Sequence, residues 1–513
     1  MAMTYTLCDV LRKIASERAS QIAIKDAFEG ISYASFVGQS EAVALHLLER
    51  KMCRGDRVAI YLPRSIDSAA VLFGVWFAGG VAVVINDVLK APQIAHILED
   101  ADATLVVTNS SLAANLPPRK SRNSVVSVDE VKEDRREGCM PNSPISSDLA
   151  MLVYTSGSTG MPKGIILSHA NLFSGAQIVS DFLNLSGSDV IISLLPFSFD
   201  YGLNQLLSSI FSGATLAIPR SILPADICQT VSRENVTGMA AVPMLWQQLC
   251  HPRSPFLKTK FPSLRYITNT GGQMPEQLTR QIRECHPQVE IYLMFGLTEA
   301  FRSTYLPPEQ AVLRPTSIGK AIPNVEILVL NSEGKQCKPG EIGELVHRGA
   351  NISLGYWRQP EATRRVFRRN PLSRPSELIG ETVVFSGDNV KTDEEGFLYY
   401  VGRKDSQMKS HGMRVSPEEV EEYLLRSRAL AHAVVFGIPN NDGESDIIAA
   451  VVPIDPSSFV RDELLRYCKA EMAEYLIPKD ILVMDAFPQT SSGKPDRVQI
   501  REGYIRSSPQ KQR

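Results

Sequence analysis

The sequence predicts an α/β protein: a large N-terminal region, a β-rich stretch after it and a small α+β domain at the C-terminal end. Three patterns carry that reading. Amphipathic segments alternate with short Val/Ile/Leu-rich runs over roughly the first four hundred residues. The pattern turns hairpin-like from about Pro323, and after "GFLYYVGRKD" (396–405) a separate helix and strand pattern begins. At 513 residues the chain is too long for one ordinary hydrophobic core.

In chain order, the runs "RVAIYL", "TLVVT", "DVIISLLP", "ATLAIP", "RYITNT" and "EIYLMFG" read as buried strands, because they are nearly continuous in apolar residues rather than alternating. The longest apolar stretch, "AAVLFGVWFAGGVAVVI" (Ala69 to Ile85), is interrupted by Gly79-Gly80 and is short for a membrane span. It reads as a buried helix turning into a buried strand. "VEILVLNSEGKQCKPGEIGELVHRG" has Gly, Pro and Asn-Ser turns between short runs, so a β-rich subdomain is expected from Pro323 to near Val401. Beyond it, "SPEEVEEYLLRS" opens like a helix, followed by the strands "HAVVFGI" and "DIIAAVVPI", the helical "RDELLRYCKAEMAEY" and the strand "KDILVMD". The cluster "RRVFRRN" (Arg364 to Asn370) reads as a solvated helix face.

Composition excludes several classes of function. Lys+Arg 54 against Asp+Glu 56 leaves no charge excess to attract nucleic acid or an anionic membrane. The start "MAMTYTLCDVLRKIASERAS" carries charges throughout and lacks the apolar core of a secretion signal, so a cytoplasmic protein is expected. Eight cysteines show no CxxC pair and eight histidines no ligand spacing, which predicts free thiols and no structural zinc.

The most informative stretch is "YTSGSTGMPKG" (Tyr154 to Gly164), set between the apolar runs "LAMLVY" and "IILS". Its glycines let backbone N–H groups approach an anion, and its hydroxyls and Lys163 add donors, as a polyphosphate requires. A Walker A loop needs Gly-Lys-Ser/Thr opening a helix, whereas Lys163 sits between Pro162 and Gly164 before a strand, with "SHAN" as the next helix cap. Further polar motifs stand at predicted strand ends, where α/β sites collect: "NTGGQMP" (269–275), "FGLTEA" (295–300), "FSGDNVKTDEEGFLYYVGRKD" (385–405) and "PQTSSGKPDR" (488–497). Singly, these read as a turn, an Asx-turn aspartate and a surface lysine. Their order along one chain points to a single chemistry.

The set resembles the adenylate-forming superfamily, which includes acyl-CoA synthetases, amino-acid adenylation domains and luciferase, from about Leu7 to Arg497. The resemblance implies two related α/β subdomains and a β-rich one over residues 1–402, a hinge at 403–405 centred on Asp405, and a mobile lid domain over 406–513. It implies that Thr155, Ser156, Gly157, Ser158, Thr159, Gly160 and Lys163 hold the ATP phosphates. Gly271, Gly272, Phe295 and Gly296 would border the adenine, Thr298 a phosphate, and Glu299 would ligate Mg²⁺. Asp388 would accept the ribose hydroxyls with Arg403 assisting. Lys494 would bridge the substrate carboxylate and the α-phosphate as the anhydride forms.

The acid is the finer question. Fatty and aryl ligases of the superfamily commonly carry "PxFHxxG", while amino-acid adenylation domains carry "FDxS" with an aspartate for the substrate ammonium. Here "LLPFSFDYGLNQ" supplies Asp200, with Tyr201-Gly202 beside the place of the serine. Asp200, Tyr201, Asn204, Thr270, Met294 and Arg302 are therefore expected to line the acid pocket. "GRKDSQMKSHGMRVSPEEVE" is similar to the "DxQxKxxGxR" form of carrier-protein-directed enzymes. The expected reaction is activation of a small amino acid as acyl-AMP, then transfer to the phosphopantetheine thiol of a separate carrier protein. The alternative is a short- or medium-chain AMP-forming acyl-CoA synthetase using CoA. A regulatory nucleotide-binding protein without catalysis is opposed by Lys494, Glu299 and Asp388.

Overall fold

Strand and helix positions follow the apolar patterning closely in the computed structural model, which describes residues 5–118, 124–133, 143–155, 162–373, 380–404, 408–410, 413–440, 445–472, 474–490 and 493–507. The chain divides into two compact units: Met1–Ile327 with His347–Val384, and Leu328–Val346 with Phe385–Arg513.

The first unit is built on two sheets. One runs Ser124–Ser127, Ala103–Thr108, Arg57–Tyr61, Val81–Val84, Leu149–Thr155, Lys163–Ser168, parallel except for the last pair. The other, within this unit, runs Ser317–Ala321, Thr304–Leu306, Glu290–Phe295, Tyr266–Asn269, Gly238–Ala241, Val190–Ile192, Thr215–Ala217, Ile22–Lys25, Gly30–Ser32, parallel from Glu290–Phe295 through Ile22–Lys25. Parallel strands need helical crossovers, which is why these runs are covered on both faces and read as continuously apolar. The helices Leu7–Glu17, Tyr33–Glu49, Ile66–Phe77, His169–Phe182 and Asp200–Ser212 share one core with both sheets, including Phe36, Phe73, Trp76, Leu172 and Leu206. The 69–85 stretch is helix Ile66–Phe77 followed by strand Val81–Val84, as its Gly-Gly break suggests. Among the described residues no helix is long and apolar enough to cross a membrane.

The second unit holds most of the strands Val325–Leu330, Gly343–Gly349, Thr382–Thr392 and Leu398–Arg403, the β-rich stretch read from the Gly/Pro turns. It also holds a three-stranded sheet of Leu430–Pro439, Ser445–Pro453 and Asp480–Val483. Strand alternation sorts its side chains into two cores. Val435, Ile447, Ala449 and Val451 pack with Val420, Leu424, Leu464 and Cys468 from the helices Pro417–Arg426 and Arg461–Glu471. Val434, Phe436, Ile448 and Ala450 pack with Ile500 and Tyr504.

Two elements differ from the sequence reading. The helix Arg497–Ser507, which supplies Ile500 and Tyr504, has weak amphipathic periodicity and is held instead by Arg497, whose Nη2 reaches Glu421 Oε2 at 2.7 Å. The "RRVFRRN" cluster is not one helix face. It splits into the helix Pro360–Val366 and the strand Phe367–Arg369, which pairs with residues 382–384, and its four arginines are exposed. Sheet pairing there outweighs a helix only two turns long.

Candidate active site

The strands on either side of the Gly/Ser-rich stretch pair with each other. Leu149–Thr155 and Lys163–Ser168 pair antiparallel with Thr155 opposite Lys163, and Ser168 caps helix His169–Phe182 in a reciprocal box with Asn171. Ser156, Gly157, Ser158, Thr159 and Gly160 lie outside the described residues. Residues 354–357 run along the hairpin's second strand: Ile166 N–H donates to Gly355 O at 2.9 Å and Trp357 N–H to Gly164 O at 2.7 Å. That pairing puts the Tyr356 ring 5.7 Å from Lys163 Nζ, and the Tyr356 hydroxyl donates to Glu299 Oε1 at 2.6 Å.

Glu299 belongs to a tight loop at the carboxyl end of strand Glu290–Phe295, where ligands collect in open α/β sheets. Met294 is buried and Phe295 and Gly296 are half-buried as the strand ends; Ser303 N–H closes the loop onto Phe295 O at 3.2 Å. Within the loop Phe301 has φ of 53°, and Arg302 N–H folds back to Ala300 O at 2.7 Å. A bulky residue in the left-handed region is strained by about 1–3 kcal/mol, tolerated here because the Phe301 ring is buried in the main core. The reversal sends Arg302 inward rather than to solvent.

Arg302 is 3% exposed and Asp200 5%. Arg302 Nη1 stands 3.7 Å from Asp200 Oδ2, and the guanidinium lies 5.0 Å from the centre of the Tyr201 ring. Thr298 Oγ1 approaches the same Asp200 oxygen at 3.5 Å, so both partners are loose. Asp200 and Tyr201 open helix Asp200–Ser212. Gly202 is required there, since a Cβ would meet the carbonyl oxygens of Pro196 at 2.3 Å and Leu195 at 2.7 Å, and this is why no serine fits beside Asp200. The Tyr201 hydroxyl bonds Thr268 Oγ1, and burial pushes its phenol well above the ordinary range. Asn204, fully buried, accepts from Ser208 at 3.2 Å.

The adjacent strand Tyr266–Asn269 ends in Thr270, which is buried, and the Gly271-Gly272 turn. Gly271 has φ of 81°, a conformation glycine alone adopts freely, and Asn269 Nδ2 pins the turn by donating to Gly272 O at 3.0 Å.

In the second unit, Asp388 and Arg403 face each other across the hairpin Thr382–Thr392/Leu398–Arg403, with Arg403 Nη1 3.3 Å from Asp388 Oδ1. Asp388 is buried, its N–H bonded to Ser386 Oγ at 3.0 Å, while the Arg403 side chain is 45% exposed. Lys494 is exposed on a tight turn in which Gly493 has φ of 78° and Thr490 N–H donates to Lys494 O at 2.8 Å. Asp405 lies outside the described residues.

Residues 11–357 match the family model described as AMP-binding enzyme, and residues 419–494 its C-terminal domain. The chain belongs to the AMP-binding enzyme family. It is an AMP-forming ligase, as its relatives indicate. The probable CoA ligase CCL9 of Humulus lupulus is 28% identical, over 98% of each chain. The delta-poly-L-ornithine synthetase of Acinetobacter baumannii is 30% identical over 96% of this chain, which spans only 36% of that relative's length. Among solved structures, o-succinylbenzoate CoA synthetase of Bacillus subtilis in complex with its acyl-adenylate intermediate is 26% identical with a TM-score of 0.85, covering 98% of this chain and 99% of that one. The same synthetase in complex with ATP and magnesium ion has a TM-score of 0.84, at 26% identity over 96% of this chain and 99% of that one.

Two residues packed against the Glu299 loop were not visible as candidates in the sequence. Tyr356 follows Glu299 by 57 positions, and no spacing connects them. His347 is fully buried, its Nδ1 3.1 Å from Ser303 Oγ behind the Glu299 loop; burial lowers it to about 3, so the ring is neutral. The donor set suits Mg²⁺ carried by a nucleotide, because that ion takes one or two carboxylates and fills its shell with phosphates and water. Glu299 would supply such a carboxylate, and among the described residues no group of three or more His, Cys, Asp and Glu forms a dedicated cage.

Proposed function

We propose that this ligase activates a small amino acid with ATP, forming aminoacyl-AMP and pyrophosphate, and passes the acyl group to the phosphopantetheine thiol of a separate carrier protein. The observation that carries the amino-acid reading is Asp200, a buried carboxylate whose two neighbours, Thr298 and Arg302, hold it only loosely. A carboxylate with acceptor capacity left over is suited to an ammonium group.

In this reading the carboxylate oxygen of the substrate attacks the α-phosphorus of ATP, the bond to the β-phosphate oxygen breaks, and pyrophosphate leaves. Glu299 would hold Mg²⁺, which would supply charge to offset the phosphates, and Tyr356 fixes the Glu299 carboxylate by its hydrogen bond. Asp388 accepts from the ribose hydroxyls. Lys494 stabilises charge building between the substrate carboxylate and the α-phosphate. A thiolate then attacks the acyl carbon and AMP departs, so one difficult acylation becomes two easier steps.

A second reading, an acyl-CoA synthetase using CoA, is favoured by the full-length similarity to a probable CoA ligase and to o-succinylbenzoate CoA synthetase. ATP–pyrophosphate exchange across amino acids and fatty acids, followed by thiol transfer to CoA and to phosphopantetheinylated carrier proteins, tests both. Exchange with amino acids and transfer to a carrier is the expected result. Preference for simple fatty acids with CoA as acceptor would replace the first reading by the second.

A further inference from the structure

Arg302 is buried more completely than its partners justify. Of its guanidinium nitrogens, Nη1 alone meets Asp200, at 3.7 Å, while Nε and Nη2 are sealed from solvent with no hydrogen-bond partner among the described residues. One helical turn along from Asp200, on the same face, Asn204 Nδ2 is also buried and unpartnered. Two buried side chains, one beside Asp200 and one a helical turn along from it, therefore carry donors with no acceptor among the described residues. Buried donors left unpaired are destabilising, and a cation with more than half its donors idle is more so. The chain nevertheless adopts the strained φ of Phe301 immediately before Arg302, which turns that side chain inward. Stacking on Tyr201 fixes the plane of the guanidinium without satisfying its edge.

The missing partner is an acceptor, and the edge formed by Nε and Nη2 matches a carboxylate in bidentate geometry. Resting on the amino-acid reading of Asp200 above, we infer that the substrate is an amino dicarboxylic acid: one carboxylate is adenylated, the ammonium pairs with Asp200, and the second carboxylate is held by Arg302 with Asn204 beside it. Arg302 is thus a specificity residue. With the substrate bound, Asp200 lies between two cations and Arg302 between two carboxylates, so the buried charges alternate in sign.

The test is ATP–pyrophosphate exchange by the whole chain with aspartate, glutamate, their side-chain amides, alanine, 2-aminobutyrate, succinate and glutarate. Substrate-induced thermal shifts of the wild-type protein are measured alongside. A site built to bond a substrate group rejects analogues lacking it by orders of magnitude, so kcat/KM for an amino diacid should exceed that for 2-aminobutyrate at least about 100-fold. R302Q should remove that preference mainly through KM, and R302K should restore part of it. Preference for neutral amino acids by the wild-type enzyme overturns the Arg302 assignment and leaves the amino-acid reading standing. Preference for succinate or glutarate over every amino acid overturns the amino-acid reading while the Arg302 assignment stands. Equal loss on all substrates in R302Q would show that Arg302 serves the common chemistry or the fold, and sinks the inference. Should R302Q fail to fold, the wild-type thermal shifts decide: a larger shift with amino diacids supports the inference, and an equal shift with neutral amino acids opposes it.

Discussion

The hydroxyl of Tyr356 donates to Glu299 at 2.6 Å, while its ring lies 5.7 Å from the Lys163 ammonium. One aromatic side chain thereby lies beside Lys163 and bonds Glu299, the expected Mg²⁺ ligand, and it limits where the Glu299 carboxylate can swing. Glu299→Gln should lower adenylation about 100-fold and raise the Mg²⁺ needed for half-maximal rate, since an amide is a poor ligand for a hard dication. Tyr356→Phe should raise the Mg²⁺ requirement about tenfold, the effect of losing an outer partner of a ligand. A Mg²⁺ titration of pyrophosphate exchange reads both, and identical curves for wild type and Glu299→Gln would remove Glu299 from the metal.

Lys494→Ala should reduce acyl-AMP formation by about 100- to 1000-fold, because it removes one cation from the atoms where charge develops. Transfer to thiol from supplied acyl-AMP should be largely kept. Comparable losses in the two half-reactions would contradict a role confined to adenylation.

Asp200→Ala should weaken amino-acid adenylation by roughly 2 to 5 kcal/mol, the penalty for leaving a buried ammonium unpaired. Deaminated analogues should lose little. Arg302 loses its carboxylate in the same variant, so unfolding must be measured too, with Asp200→Asn as the gentler control. If both variants fold and activate amino acids at the wild-type rate, the pairing is wrong.

Asp388→Asn should raise KM for ATP about tenfold or more, because an amide offers one oxygen where the carboxylate offers two, and charged acceptors make the stronger bonds. The 3.3 Å bond from Arg403 weakens with it. An unchanged KM would place the ribose elsewhere.

Acid should destabilise the first unit through His347 and His169. Burial lowers the first to about 3 and the second to about 4, against 6.5 for an exposed ring. Because the unfolded chain takes up these protons first, stability falls as pH drops from about 6.5 toward those values, by up to about 1.4 kcal/mol per pH unit for each histidine. His347→Gln should flatten that slope in thermal melts taken between pH 7 and pH 5. A melt series with the wild-type slope would show that His347 does not contribute.

Much of this protein is legible without coordinates. Strand positions follow from short continuous apolar runs and helix positions from period-3.6 patterning, and the helix start at Ser168 follows from its reciprocal bonds with Asn171. The ordered motifs carry the family, because glycine, hydroxyl and charged residues at strand ends are constrained by the chemistry at those ends. Tertiary structure alone decided the rest. The division into units groups Leu328–Val346 with Phe385–Arg513, a grouping no local pattern encodes. Tyr356 reaches Glu299 because residues 354–357 add along the Lys163–Ser168 strand. Arg302 is expected from its motif position to line the acid pocket, but no local pattern sets the direction of its side chain. The positive φ of Phe301, held by burial of its ring, turns it inward against Asp200, since packing energy from the whole core outweighs the local backbone preference.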